Sequence, residues 1–274
     1  MSAEQIRNVS DTALATAGWR AMESERPDAL FHDPLAVTLA GARGLQIARS
    51  RPDGAWVVAM RTPLIDDFLR EAVSTGIDTI LDLGAGLDAR PYRMDLPTSL
   101  RWIEIDDPSV IAAKTELLRG EAPVCSVERF GLDLTDPDAY REVFDVISRS
   151  SGRSMALTEG LIGYLSEDEV ATLANELHAL SSCELWVTEY FSTRLLRAYQ
   201  KHQPLPEAPV RFNPNDWTDF FAEHGWVVAE ISYLGDRSQQ LHRPAPIPLR
   251  DRVVRMFTSR PLRDTGYALL ERRP

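Results

Sequence analysis

IDTILDLGAGLDARPYR, residues 77–93, runs from a short apolar stretch through two glycines into a segment with two arginines and a tyrosine. The short apolar run at 77–83, bounded by Gly76 and Gly84, predicts a short buried strand. Gly84 and Gly86 then let the backbone turn sharply and approach a ligand without a Cβ in the way. A buried strand that ends in such a turn opens a sheet whose faces are covered by helices.

Working outward, the same alternation recurs. Residues 55–75 carry apolar residues at mixed three and four spacing, which predicts a helix interrupted at Pro63 and stopped at Gly76. Strands are predicted at 100–106, 123–134, 154–161 and 183–191. Between them lie a helix opening at Asp107-Pro108, a helix at 136–150 capped by Asp136, and a helix at 166–180 with Ser166 and Glu169 as a capping box. The C-terminal third reads differently: 226–234, with VVRMFTSR (253–260) or TGYALLERR (265–273), forms strands without long helices between them. The expected fold is α/β, a doubly wound and mostly parallel sheet with a C-terminal antiparallel hairpin. One domain over 1–274 is expected, with a helical cap at 1–54 and an inserted lid at 192–225 that contains the proline-rich stretch 202–215; a second such stretch, 243–249, reads as a surface connection.

Composition narrows the partners. A chain of 274 residues with 44% hydrophobic content buries a large core, and its formal net charge of −11 argues against a nucleic-acid groove, which needs clustered Lys and Arg. No apolar run approaches the ~18 residues of a membrane span, and the N-terminus lacks the layout of a secretory signal. No membrane contact and a cytoplasmic location are therefore expected. Cys125 and Cys183 have no CxxC spacing and read as reduced, packed thiols. The five histidines show no ligand spacing, so no metal is expected.

In a sheet of this kind, ligands bind at the carboxyl ends of the strands, where the strand order reverses. A dinucleotide fingerprint would bring a third glycine to pack a helix beneath a pyrophosphate, but Leu87, Asp88 and Ala89 follow Gly86. A carboxylate suited to a ribose diol still follows strand two, at Glu104-Ile105-Asp106. S-adenosyl-L-methionine meets those terms: it has ribose and adenine, no phosphate, and an amino-acid tail.

The segments LDLGAGLDARPYRMDLP (81–97), RWIEIDDPSVIAAK (101–114), FGLDLTD (130–136) and TEGLIGYLSEDEV (158–170), in that order, resemble the leucine carboxyl methyltransferase family in its broad sense, including bacterial members that methylate polyketide-type metabolites. AMESERPDALFHDPLA (21–36) and MRTPLIDDFL (60–69) extend the resemblance to roughly residues 18–191. It implies a class I methyltransferase sheet, Rossmann-like, with S-adenosylmethionine in the strand-end crevice. Carried over by position, Arg61 would engage the methionine carboxylate, and Gly84, Ala85 and Gly86 would form the turn beneath the methionine portion. Asp106 would bind the ribose, Asp133 and Leu134 would flank adenine, and Glu159 would face the methionine amino group. Where family members often carry EGLLMYL, this chain has Ile162-Gly163-Tyr164, which would put a glycine beside the methyl donor.

Simpler structural readings stand beside these. Arg61 could pair with Asp66 or Asp67, Asp133 could be a turn residue, and Asp88 with Arg90 could form an ion pair under the glycine turn. Glu159 resists such a reading, because a buried carboxylate without a cation is costly and the ammonium group of the donor would supply one. A sulfonium methyl needs only an acceptor oxygen in line at near-attack distance. A carboxylate acceptor of a small metabolite needs no base; a hydroxyl would need one, with Glu159, Tyr164 and His32 as the candidates. Arg194, Arg197 and Lys201 could supply a positive environment for the acceptor, or could simply form a solvated helix face. The other functional classes are a nicotinamide-dependent oxidoreductase and a protein of this fold that binds the cofactor without transferring methyl.

Overall fold

The structure, a computed structural model, describes residues 9–150, 152–202, 209–245 and 263–273. Three helices precede the sheet: α1 (Val9–Ser24), α2 (Ala36–Ser50) and α3 (Asp53–Ser74). The chain then alternates through β1 (Thr79–Leu83), α4 (Arg90–Arg93), β2 (Arg101–Asp106), α5 (Pro108–Leu117), β3 (Ser126–Gly131), α6 (Pro137–Ser150) and β4 (Ser154–Thr158). A 3-10 turn (Ile162–Tyr164), α7 (Glu167–Ala179), β5 (Cys183–Phe191), α8 (Thr193–His202) and α9 (Trp217–Glu223) follow. The described chain ends with β6 (Trp226–Tyr233), α10 (Leu234–Gln240) and β7 (Thr265–Arg272).

The helix starts follow their sequence signals. Asp107 accepts from the Ser109 amide at 2.8 Å with Pro108 in the first turn, and Asp136 accepts from the Asp138 amide at 3.1 Å. Ser166 and Glu169 form the reciprocal capping box. The predicted interruption at Pro63 does not occur. α3 runs through it, because a proline removes one helical donor and the rest of α3 is held by burial of Met60, Ile65, Phe68 and Leu69.

The sheet order is β3-β2-β1-β4-β5-β7-β6, parallel from β3 to β5, with β7 antiparallel to both β5 and β6. This is the expected doubly wound sheet with an antiparallel C-terminal pair. Of the two alternatives for the last strand, TGYALLERR supplies β7, and VVRMFTSR lies outside the described residues. Alternate side chains of the central strands serve opposite faces. Leu81, Leu83, Ile103 and Ile105 pack with Tyr140 and Phe144 of α6 and Leu173 and Leu177 of α7, while Ile80, Trp102, Met155 and Leu157 meet α3.

The predicted strands at 123–134 and 154–161 are shorter than expected. Gly160 takes φ +72, a left-handed conformation that ends β4 at Thr158. The register places Leu83 beside Ile105 and Thr158, and Asp106 beside Gly131, so the connections after β1, β2, β3 and β4 emerge on one edge. α1 and α2 cross closely: a Cβ on Gly18 would stand 2.6 Å from the Gly44 carbonyl oxygen, and one on Gly44 would stand 2.4 Å from that of Leu14. Among the described residues, no helix is long and apolar enough to cross a membrane.

Candidate active site

A cavity of about 390 Å³ opens where those four connections meet, between β1 and its neighbours on either side. The glycine turn forms its floor. Gly84 has φ +69, its amide donates to the Ile105 carbonyl at 2.8 Å, and a Cβ there would come within 3.1 Å of the Leu161 side chain. Gly86 has φ +46 and donates its amide to Asp106 Oδ2 at 2.6 Å. The turn at the end of β1 and the carboxylate at the end of β2 are thus one hydrogen-bonded unit. Asp106 also accepts from the Asp107 amide at 2.7 Å, and burial outweighs these bonds to raise its pKa above the usual carboxylate value.

One wall is a network of buried charges. Arg61, from α3, places Nε 2.7 Å from Glu159 Oε1, but at an angle that makes no hydrogen bond, so this buried N–H has no hydrogen-bond partner among the described residues. Glu159 Oε2 accepts from Arg90 Nη1 at 2.6 Å. Arg90 also donates to Asp66 at 2.7 Å and to Asp88 at 2.6 Å, and Arg93 adds two bonds to Asp66. Burial raises the pKa of Glu159, yet Arg90 and Arg61 outweigh it and hold the carboxyl ionised, below its ordinary value. Asp82, in β1, is pushed the other way: burial and the neighbouring Asp88 raise it well above the usual range. The Trp102 indole donates to it at 3.3 Å.

The rest of the lining includes Leu132, Asp133 and Leu134 after β3, Leu161 and Tyr164 after β4, and Thr12, Ala13, Thr16 and Arg20 of α1. Arg20 is held by Asp33 at 2.8 Å and by the Leu87 carbonyl.

Arg61, Gly84, Ala85, Gly86, Asp106, Asp133, Leu134, Glu159 and Tyr164, singled out in the sequence, all line this cavity. His32 does not. The strand-like alternation of its segment buries Phe31 and Asp33 and turns His32 to solvent, away from the lining. The simpler reading of Arg61 also fails: Asp66 is taken by Arg90 and Arg93, and Asp67 by Arg70 and Arg237. Asp88 and Arg90 do form the ion pair under the turn, and Asp133 does bond Thr135 as a turn residue while also facing the cavity.

Two expectations are corrected. Arg61 and Arg90 already provide the cations that Glu159 was expected to lack. Gly163 faces Phe191, where a Cβ would be 3.6 Å from the ring, and does not line the cavity. Arg194 and Arg197 are exposed and outside the lining, with Arg194 paired to Asp264; the side chain of Lys201 lies outside the described residues. Of the segment expected to act as a lid, Arg211 reaches the cavity. Asp82, and Thr12 and Thr16 within the segment expected as a helical cap, were not singled out in the sequence. An acidic residue inside the run before the glycine turn was the available signal for Asp82, whereas nothing local marks Thr12 or Thr16.

The leucine carboxyl methyltransferase family model matches residues 13–178, more than half of the chain and the whole of the cavity's parallel-strand side. The chain belongs to the leucine carboxyl methyltransferase family. A Streptomyces coelicolor protein named as an S-adenosyl-L-methionine-dependent methyltransferase is 32% identical over 260 residues, spanning 88% of this chain and 90% of that relative. A Frankia alni protein of the same name is 32% identical over 258 residues, 86% and 88% of the two chains. Among solved structures, a methyltransferase of Thermobifida fusca superposes with a TM-score of 0.57 over 96% of this chain and 94% of its own, at 15% identity. A likeness at that identity shows a shared fold, that of the Rossmann-like methyltransferases.

Proposed function

We propose that the protein is an S-adenosyl-L-methionine-dependent O-methyltransferase whose acceptor is a carboxylate of a small metabolite. The observation that carries the donor reading is the buried pair of Arg61 and an ionised Glu159, 2.7 Å apart, with the Arg61 Nε–H left without a hydrogen-bond acceptor among the described residues: a cation and an anion at one end of a cavity suit the zwitterionic tail of the donor. The other end fits as well. Asp106 is fixed by the Gly86 and Asp107 amides with lone pairs left for a ribose diol, and the bare backbone at Gly84 leaves no Cβ between the turn and Leu161. Leu132 and Leu134 supply the apolar faces an adenine ring needs.

The donor supplies an already activated methyl on a sulfonium. The residues of this chain bind and orient it. Arg61 and Glu159 orient the tail, Asp106 fixes the ribose, and Thr12, Ala13 and Thr16 of α1 line the cavity beside them. Little in the cavity serves as a base. Both Glu159 oxygens face arginines and His32 lies outside the lining, which leaves Tyr164 among the three candidates. A carboxylate acceptor needs no such group; Arg20, paired with Asp33, and Arg211, paired with Glu169, bring positive charge to the lining.

Calorimetric titration with S-adenosylmethionine and S-adenosylhomocysteine tests the donor, with micromolar binding of both expected on the order typical of enzyme cofactors. Incubation of a metabolite extract with isotopically labelled donor, followed by mass spectrometry and mild alkaline hydrolysis, tests the acceptor: methyl esters are cleaved and ethers are not. Labelled products that all survive alkali overturn the carboxylate reading.

A further inference from the structure

β5 carries a second acid close to Arg61. Glu189 is 3% exposed; its Oε1 accepts from the Gly163 amide at 3.4 Å, and its Oε2 has no hydrogen-bond partner among the described residues. It stands opposite Tyr267 in the β5–β7 register. The charged and titratable groups that act on it and its neighbours are Arg61 from α3, Glu159 and Arg90 across the cavity wall, and Tyr267 from β7. The Thr158 and Thr188 hydroxyls bond at 2.8 Å, which sets Glu159 and Glu189 one residue further along neighbouring chain segments, so Arg61, 2.7 Å from Glu159, feels both carboxyl groups.

We propose that Glu189 is a positioning residue that sets how much of the Arg61 charge is available to the tail of a bound ligand. This rests on the donor reading above. With its proton on, Glu189 is neutral and Arg61 offers its charge and its unsatisfied Nε–H to a ligand carboxylate. With the proton off, a second buried anion competes for the same guanidinium. Burial pushes the Glu189 carboxyl up to about 7, against the Gly163 amide and Arg61, so the change falls near neutrality.

The sign follows. A ligand carboxylate drawn to Arg61 raises the Glu189 pKa further, so binding takes up a proton. Affinity is therefore full below the free value and declines as pH rises through it. The anionic Glu189 does not touch the ligand, and a ligand without the tail has nothing to gain from Arg61.

Binding of S-adenosylhomocysteine and of methylthioadenosine, which lacks the amino-acid tail, measured between about pH 6 and pH 8, tests this. The homocysteine compound loses about threefold to tenfold in affinity over the range, since one unit of pKa change equals tenfold, and methylthioadenosine changes little. Glu189→Gln, uncharged at every pH, flattens the curve at its low-pH value. An unchanged slope in that variant overturns the proposal and assigns the titration to another group such as Asp82. Calorimetry of the unmodified protein in two buffers of different ionisation enthalpy gives an independent reading that survives a misfolded variant. Proton uptake with S-adenosylhomocysteine alone supports the proposal, and none, or equal uptake with both ligands, refutes it. If neither ligand binds at any pH, the donor reading falls and this inference with it, an outcome distinct from binding that ignores pH.

Discussion

Replacing Arg90 by methionine removes the centre of the buried charge network while keeping most of the side-chain volume. Arg90 is 2% exposed and bonds Asp66, Asp88 and Glu159 at once. Asp66 keeps Arg93, and Glu159 keeps Arg61, but Asp88 loses its one cation among the described ion pairs. Breaking a buried pair from one side costs roughly 3–5 kcal/mol; with two of three acids still paired, about 3 kcal/mol is expected at neutral pH. The loss should also depend on pH. Against the raising effect of burial, Arg90 pulls the Asp88 carboxyl far below its usual range. A depressed carboxylate stabilises the fold above the unfolded pKa, and that contribution fades as pH falls towards the folded value. The gap between the two proteins should therefore narrow by about 1 kcal/mol per unit of pH below ~4. Urea unfolding at neutral and acidic pH, with m unchanged, measures both numbers. A neutral-pH loss under 1 kcal/mol, or a gap that stays constant into acid, would show that Arg90 is not the organising charge.

Asp106→Asn should weaken S-adenosylmethionine by ~1–3 kcal/mol through loss of charged hydrogen bonds to the ribose, measured by calorimetry; unchanged affinity removes Asp106 from the site. Arg61→Ala should weaken S-adenosylhomocysteine much more than methylthioadenosine, and equal losses would limit Arg61 to a scaffold role. Gly84→Ala forces a left-handed alanine, which costs about 1–2 kcal/mol, and drives its Cβ towards Leu161, so melting temperature and cofactor affinity should fall together. Burial pushes the Cys125 thiol up to about 11 and the Cys183 thiol up to about 12; both should react slowly with a thiol reagent at neutral pH in the folded protein and rapidly in urea. Deleting residues 1–20 should compromise folding as well as turnover, because the deletion removes Trp19 and Arg20, both buried; a truncated protein with an unchanged melting temperature contradicts this.

The parallel half of the fold was legible because each element there carries its own local signal. Asp107-Pro108 and the Ser166/Glu169 box start helices through hydrogen bonds made within a few residues. Gly84 and Gly86 are needed for backbone reasons that any strand-to-helix turn shares. Where the outcome depended on distant packing, sequence reading fell short. Pro63 looked like a break, but tertiary burial holds α3 together. Gly163 looked like a pocket residue, but Phe191 at the end of β5 occupies that side. His32 has the chemistry of a base, and only the alternating burial of its neighbours shows that it points outward. Glu159 was recognised as a carboxylate in need of a cation. That the cations come from Arg61 and Arg90 depends on α3 and α4 meeting the β4 connection, which no spacing encodes.

The position of β7 bears on how the protein is made. β7 is synthesised after β6, with residues 234–264 between them, yet it lies between β6 and β5 in the sheet. The strands that carry the glycine turn and the acidic ends can pair in the order in which they leave the ribosome. β6 cannot, because its partner has not yet been translated. Until β7 slots in, β5 and β6 both present open hydrogen-bonding edges, the kind of surface that recruits other nascent chains. Tyr267, opposite Glu189, arrives with that same strand. A chain stalled before residue 265 would therefore hold every described residue that lines the cavity on a sheet whose antiparallel half is unfinished, and its dependence on chaperones would be set by this one late insertion rather than by assembly of the parallel strands.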